Sequence, residues 1–247
     1  MVGPGMHDER GAPHGGASTD ASTDASTVAG VVAGGAAPDL GALGRLGGPG
    51  TIVVAADSGA DHALAAGLTI DFVVGDLDSI DPSVLVELER RATRIERHPV
   101  NKDATDLELA IDVAVRAGAT SVIVVAGHGG RVDQSVANAF VLASPRWAGV
   151  SMHAVLDSAR VSVVHGPGSV TFDGAPGDVV TLLPVHGHAT GVRCVGLEYP
   201  LHGEDLDAGT TRGVSNVLLD RSATVSIDGG TLLVIRPGPE LLDGRDT

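Results

Sequence analysis

Gly75-Asp76-Leu77-Asp78-Ser79 places two carboxylates two residues apart, directly after an apolar run at 70–74. On an extended backbone both would point to one side. Held that close they repel unless a cation sits between them. Mg2+ suits such a pair, because it takes hard oxygen ligands from one or two carboxylates and from substrate phosphates. The plain alternative is an acidic turn capping the next helix. Asn101-Lys102-Asp103-Ala104-Thr105-Asp106 is a second candidate. Asp103 and Asp106 lie three apart and can share one side of a helix start. The positive end of a helix favours anions, and Lys102 adds charge for phosphate. An acidic first turn capped by Thr105 or Asp103 is the alternative here. Gly127-His128-Gly129-Gly130-Arg131-Val132-Asp133-Gln134 is the third. Its glycines allow close backbone approach to a ligand, and Arg131 suits phosphate. It is neither the dinucleotide fingerprint nor a Walker A sequence. His128 is given no role.

These segments need elements to hold them at the ends of apolar runs. Runs at 28–33, 51–56, 70–74 and 121–126 each stop at Gly or Asp. Continuous apolar runs suit parallel strands covered on both faces. Helical patterns lie between them. Asp81-Pro82 reads as an N-cap followed by Pro at the first helical position. Thr105 and Glu108 form a capping-box signal, with Leu107, Ala110, Ile111 and Ala114 behind it and Gly118 as the stop. A further helix is expected over 132–143. Alternation of strand and helix predicts an α/β layer with a mostly parallel sheet, which binds ligands beyond the carboxyl ends of its strands. After about 145–150 the helical pattern ceases. Short runs at 151–156, 159–164, 169–172, 178–183, 214–219, 223–227 and 231–235 predict an all-β sandwich or barrel, with a domain boundary near residue 148. Residues 1–27, with their ASTD repeat, read as a disordered tail.

Composition narrows the function. The chain has 247 residues, 43% hydrophobic and 19% charged, which excludes disorder throughout. Lys plus Arg is 16 against 31 Asp plus Glu, a net charge of −15. So acidic a chain is a poor wrapper of nucleic acid, although a divalent metal would let it hold a polyanion locally. One cysteine, Cys194, excludes a disulfide framework and a Cys-cluster metal site. No apolar run reaches the ~18 residues of a membrane span, and no secretory signal is read at the N-terminus. A reducing cytoplasm is the default expectation. Lys102 is the one lysine beside 15 arginines. A lysine that survives such a bias suggests a site that wants a compact ammonium, with chance survival as the alternative.

Together the motifs are more specific than any one alone. Asp57-Ser58-Gly59, GDLDSI from Gly75, KDATDL from Lys102 and GGRVD from Gly129 occur in order. Leu182-Leu183-Pro184, Gly196-Leu197-Glu198-Tyr199-Pro200-Leu201 and Gly213-Val214-Ser215-Asn216 follow. Over roughly 28–236 the chain resembles the thiamine pyrophosphokinase family. The resemblance implies a Rossmann-like catalytic domain over 28–148 that binds nucleotide and Mg2+. It implies a jelly-roll-like β-sandwich over 149–247 that binds thiamine, in a homodimer with sites between subunits. The implied reaction moves the pyrophosphoryl group of ATP to the thiamine hydroxyl, giving thiamine diphosphate and AMP. By the same resemblance Asp76, Asp78 and Asp103 would hold Mg2+, with Asp57 near the metal. Lys102, Asp103, Asp106 and Asp133 would serve catalysis. Asp57, Gly59, Gly129, Gly130 and Arg131 would cradle the nucleotide, and Ser215, Asn216 and Gln134 the thiamine. Asp103 and Asp133 both stay open as general base. Ser58 replaces a frequent glycine, Gln134 a frequent histidine, and the C-terminal run lacks the tryptophan that stacks thiamine in some members. Trp147 is read as a packing residue. Two rival readings are a Mg2+-dependent phosphohydrolase and a non-catalytic binding protein on the same fold.

Overall fold

The computed structural model describes residues 26–127 and 131–238. Six strands run parallel: β1 Val28–Val32, β2 Ile52–Ala56, β3 Phe72–Gly75, β4 Arg94–Arg97, β5 Ser121–Ala126 and β6 Ser151–Leu156. They lie in the order β4-β3-β2-β1-β5-β6. The helices are α1 Leu40–Gly44, α2 Gly59–Ala65, α3 Pro82–Arg90, α4 Asp106–Arg116 and α5 Val132–Leu142. Alternate strand residues face opposite layers. Ala29, Val31, Val54 and Val124 pack with Leu107, Ala110, Ile111 and Ala114 of α4. Val32, Val53, Ala55 and Val73 pack with Leu43 of α1, Ala60 and Ala63 of α2 and Leu88 of α3. Both expected caps form. Asp81 accepts the Ser83 N–H at 2.8 Å, and the Thr105 hydroxyl accepts the Glu108 N–H at 3.2 Å. Trp147 is 3% exposed and donates its indole N–H to the Val141 carbonyl at 2.9 Å, a packing role.

The chain steps outward from β1 to β4, then returns to the other side of β1 as β5. That reversal opens a crevice at the carboxyl ends of β1 and β5. The backbone is tight there. A Cβ on Gly127 would fall 2.0 Å from the Ala36 carbonyl oxygen, so glycine is required at the end of β5.

The remaining strands are antiparallel: β7 Ala159–His165, β8 Gly168–Asp173, β9 Val179–Val195, β10 His202–Leu206, β11 Asn216–Val217, β12 Ser222–Ile227 and β13 Gly229–Arg236. β9 pairs with β13 through Thr181–Val185 and with β12 through Arg193–Val195. His186 and Gly191, at φ 58° and 61°, lie between the two stretches. The strand thus passes from one layer to the other around a core of Leu182, Leu206, Leu218, Ile227 and Leu232.

Three features differ from the sequence expectation. β6 lies after residue 148 yet pairs parallel with β5 and antiparallel with β7, so one hydrogen-bonded sheet runs through both halves. The run at 214–219 yields only the two-residue β11 and a bridge from Leu197 to Leu218, because a turn through residue 215, with Ser215 at φ 59°, takes its start. β4, β10 and the second half of β9 were not expected; their charged and Gly-rich sequences lack an apolar run. Among the described residues no helix is long and apolar enough to cross a membrane.

Candidate active site

Asp57 leaves β2 at φ 49°, a left-handed conformation uncommon for a residue with a side chain. Its N–H donates to the Val74 carbonyl at 2.8 Å. The β2–β3 ladder is thereby extended by one residue, setting Asp57 beside the end of β3. Gly75 closes that strand. A Cβ there would lie 3.0 Å from Asp106 Oδ1 and 3.2 Å from Asp57 Cβ, so the glycine lets the acidic residues converge. Leu77 follows at φ 65° and is buried, as is Ile80; between them Asp78 and Ser79 face outward.

One oxygen each from Asp57, Asp76 and Asp78 lies within 4.8 Å of the others. Lys102 Nζ is 3.3 Å from Asp76 Oδ2 and 3.0 Å from Asp106 Oδ1. The Asp78 N–H donates to Asp76 Oδ1 at 3.3 Å, and the Ser79 hydroxyl donates to Asp57 Oδ2. Asp57 Oδ1 is buried without a hydrogen-bond partner. Charge divides the pair. The Asp78 N–H, helped by Lys102, holds the Asp76 carboxyl below the usual carboxylate range. The negative Asp76 pushes the Asp78 carboxyl above it. Burial disfavours the Lys102 ammonium, but Asp106 and Asp76 outweigh this and raise its pKa. One ammonium thus pairs with two of the four carboxylates gathered here. An all-oxygen donor set, with repelling carboxylates and an orphaned buried oxygen, fits a hard divalent cation such as Mg2+.

Beside the cluster lies a cavity of about 430 Å3, lined by Gly34, Asp57, Asp76, Lys102, Asp106 and Gln134 among others. Asn138, four residues after Gln134 on α5, also lines it. Helical spacing from Gln134 was the signal that could have found Asn138. Ser58 lines it too; its hydroxyl lies 2.4 Å from where a Gly34 Cβ would be, so the serine fills space against the end of β1. A larger cavity of about 560 Å3 opens at the other end of the sheet, near Ile52, Phe72, Arg94 and Arg116. None of the residues singled out in the sequence lines it. The chemistry belongs with the smaller cavity.

Not every expected residue joins the cluster. Its third carboxylate is Asp57 rather than Asp103, which is exposed and lines no part of the cavity. Arg131 and Asp133 are exposed at the start of α5 and pair with each other, Arg131 Nε lying 2.9 Å from Asp133 Oδ1. That guanidinium pulls the Asp133 carboxyl down to about 2. Gly59 is buried, and a Cβ there would fall 2.1 Å from the Val32 carbonyl oxygen, so it serves the contact of α2 with β1. Gly129, Gly130 and His128 lie outside the described residues, as do 1–25 of the expected tail. In the β half, Ser215 sits at φ 59° and donates its N–H to Thr181 Oγ1 at 3.1 Å. Asn216 is 4% exposed. Its Oδ1 accepts the N–H groups of Tyr199 and Val217, and its Nδ2 donates to the Tyr199 carbonyl at 2.8 Å. The Asn216 amide is therefore engaged in holding the Tyr199 turn.

The comparisons with known proteins agree with this layout. Residues 48–154 match the thiamin pyrophosphokinase catalytic domain, and residues 169–232 match the thiamin pyrophosphokinase vitamin B1 binding domain. The thiamine pyrophosphokinase of Bacillus subtilis (strain 168) is 25% identical over 187 residues, spanning 75% of this chain and 87% of the relative. A crystal structure of thiamine pyrophosphokinase from Bacillus subtilis superposes with a TM-score of 0.74 at 23% identity, covering 86% of this chain and 99% of that one. The Geobacillus thermodenitrificans enzyme gives a TM-score of 0.69 at 27% identity, over 85% and 97% of the two chains. The yeast enzyme gives 0.67 at 13% identity, over 90% of each. With both halves matched to the two domains of one family, in order and over most of its length, the chain belongs to the thiamine pyrophosphokinase family.

Proposed function

We propose that this protein transfers the pyrophosphoryl group of ATP to the hydroxyl of thiamine, releasing thiamine diphosphate and AMP. One observation carries the reading. The Asp57–Asp76–Asp78 cluster and Lys102 meet beside a 430 Å3 cavity at the carboxyl ends of the strands, in a chain matched to both domains of the family. Asp57, Asp76 and Asp78 would hold Mg2+, which supplies positive charge for the phosphate oxygens. Lys102 stays protonated between Asp76 and Asp106 and offers its remaining N–H to phosphate. The Gly34-Gly35 backbone gives close approach without side chains, and Gln134 and Asn138 offer amides from α5. Attack of an alcohol on phosphorus needs alignment and charge neutralisation more than covalent help from the protein.

An aspartate near the alcohol could accept its proton. Asp133, held near 2 by Arg131, is a poor acceptor at neutral pH. Asp103, the other aspartate named for this role, is exposed and lines no part of the cavity, so the proton is assigned to neither. We read the parallel layer as Rossmann-like and the β half as a jelly-roll-like thiamine-binding unit. In the described residues the cavity takes no lining from the β half. The family resemblance implies a homodimer, and we propose that the partner subunit completes the site. We read the protein as cytoplasmic, a placement that its single free thiol is compatible with. The test is to incubate purified protein with ATP, Mg2+ and thiamine and measure thiamine diphosphate by thiochrome fluorescence. Product that requires all three is expected, and its absence overturns the reading.

A further inference from the structure

We propose that Ser79 is a positioning residue that fixes the Asp57 carboxylate within the cluster that would hold the divalent cation. The inference deepens the metal reading above and rests on it.

The terminal torsion of an aspartate is broad and nearly two-fold, so a carboxylate on a loop turns unless something holds it. At Asp57 the holder is the Ser79 hydroxyl, which donates to Oδ2. The other oxygen, Oδ1, is then buried with no donor of its own. Leaving a buried carboxylate oxygen unpaired is costly, and the cost is relieved when a cation takes it. Asp57 already sits with Asp76 and Asp78 in the cluster whose oxygens lie within 4.8 Å of one another. The hydrogen bond therefore fixes the rotation of a carboxylate that the cluster uses.

The loop that carries Ser79 does not depend on this bond for its shape. Leu77 and Ile80 are each 6% exposed and bury themselves on either side of Asp78 and Ser79. Asp76 is tied to Lys102, and the Asp81 N–H reaches Asp61 Oδ1 of α2 at 3.4 Å. A hydroxyl that the loop does not need, aimed at a carboxylate that the cluster does need, points to a role exerted through Asp57.

The experiment titrates Mn2+ alone into the wild-type protein and into Ser79→Ala and Ser79→Thr, with free Mn2+ followed by electron paramagnetic resonance. Loss of a residue that orients a metal ligand typically costs 10–100-fold in affinity, so Ser79→Ala is expected to bind Mn2+ about tenfold more weakly. Ser79→Thr keeps the hydroxyl and should bind within a factor of about two of wild type. In turnover, Ser79→Ala should raise the Mg2+ concentration needed for half-maximal rate by a similar factor while kcat at saturating Mg2+ changes little. The melting temperature without metal should not change. Wild-type Mn2+ affinity in Ser79→Ala would overturn the proposal and leave the cation site standing. A large fall in melting temperature that Ser79→Thr does not restore would also overturn it, by showing a structural role. Failure of the wild-type protein itself to bind Mn2+ would overturn the cation site and this inference together.

Discussion

Asp76 and Asp78 are neighbours with opposite electrostatic surroundings, and their substitutions should differ. Either Asp76→Asn or Asp78→Asn removes a cation ligand, and kcat should fall at least about a hundredfold, roughly 2.7 kcal/mol. Melting without metal should separate them. The Asp76 carboxylate is favoured by the Asp78 N–H and by Lys102, so Asp76→Asn should lower the melting temperature. The Asp78 carboxylate is disfavoured by Asp76, so Asp78→Asn should leave it unchanged or raise it. Near-normal activity in both at ordinary Mg2+ would sink the metal assignment. Lys102 invites a stricter comparison. Its ammonium fits between Asp76 and Asp106 with its side chain 13% exposed. A guanidinium is wider, planar and prone to bidentate pairing with carboxylates. Lys102→Arg should lower kcat at least about tenfold, ~1.4 kcal/mol, with the melting temperature nearly unchanged. Wild-type kinetics would return the lone lysine to chance. The sequence made Asp76, Asp78 and Lys102 legible because each stands in a short motif after an apolar run. It named Asp103 as the third metal carboxylate and set Asp57 only near the metal, whereas the structure gathers Asp57 with Asp76 and Asp78. That choice depends on the hydrogen bond from Asp57 N–H to Val74, which links two strands and leaves no local pattern.

Helices and inner strands were legible because their signals are local. Asp81 and Thr105 cap as their types require, and the β-branched runs became buried parallel strands. β4 was hidden because Arg94 and Arg97 face solvent at the edge of the sheet. β9 was hidden because Gly187 and Gly191 punctuate a strand that bends rather than ends. The α3 helix carries a pH signature of its own. Glu87 accepts from Arg90 and Arg91, and these bonds hold its carboxyl at about 2 against an ordinary 4.5. The folded value lies below the unfolded one, so this contribution is complete above the ordinary value and is lost as pH falls toward 2. A carbon-13 NMR titration should find Glu87 still ionised at pH 3. A midpoint near the ordinary glutamate value would show that the two arginines do not hold it in solution.

At the scale of the whole molecule, β6 is shared. It pairs with β5 on one side and β7 on the other, so the α/β half and the β half are bonded into one sheet. Sequence placed a boundary near residue 148 because helical periodicity stops there, and periodicity does not reveal which neighbour a strand will choose. Calorimetry should therefore give one unfolding transition rather than two, with calorimetric and van't Hoff enthalpies in agreement. Two resolved transitions would mean that the halves fold separately despite the shared strand. On this reading the cluster, the cavity and the thiamine-binding half together move two phosphates at once. Phosphorus-31 NMR of the protein with ATP, Mg2+ and thiamine tests it most directly. AMP and thiamine diphosphate should appear in equal amounts, with neither formed when thiamine is omitted. Release of ADP or inorganic phosphate with no thiamine diphosphate would contradict the account.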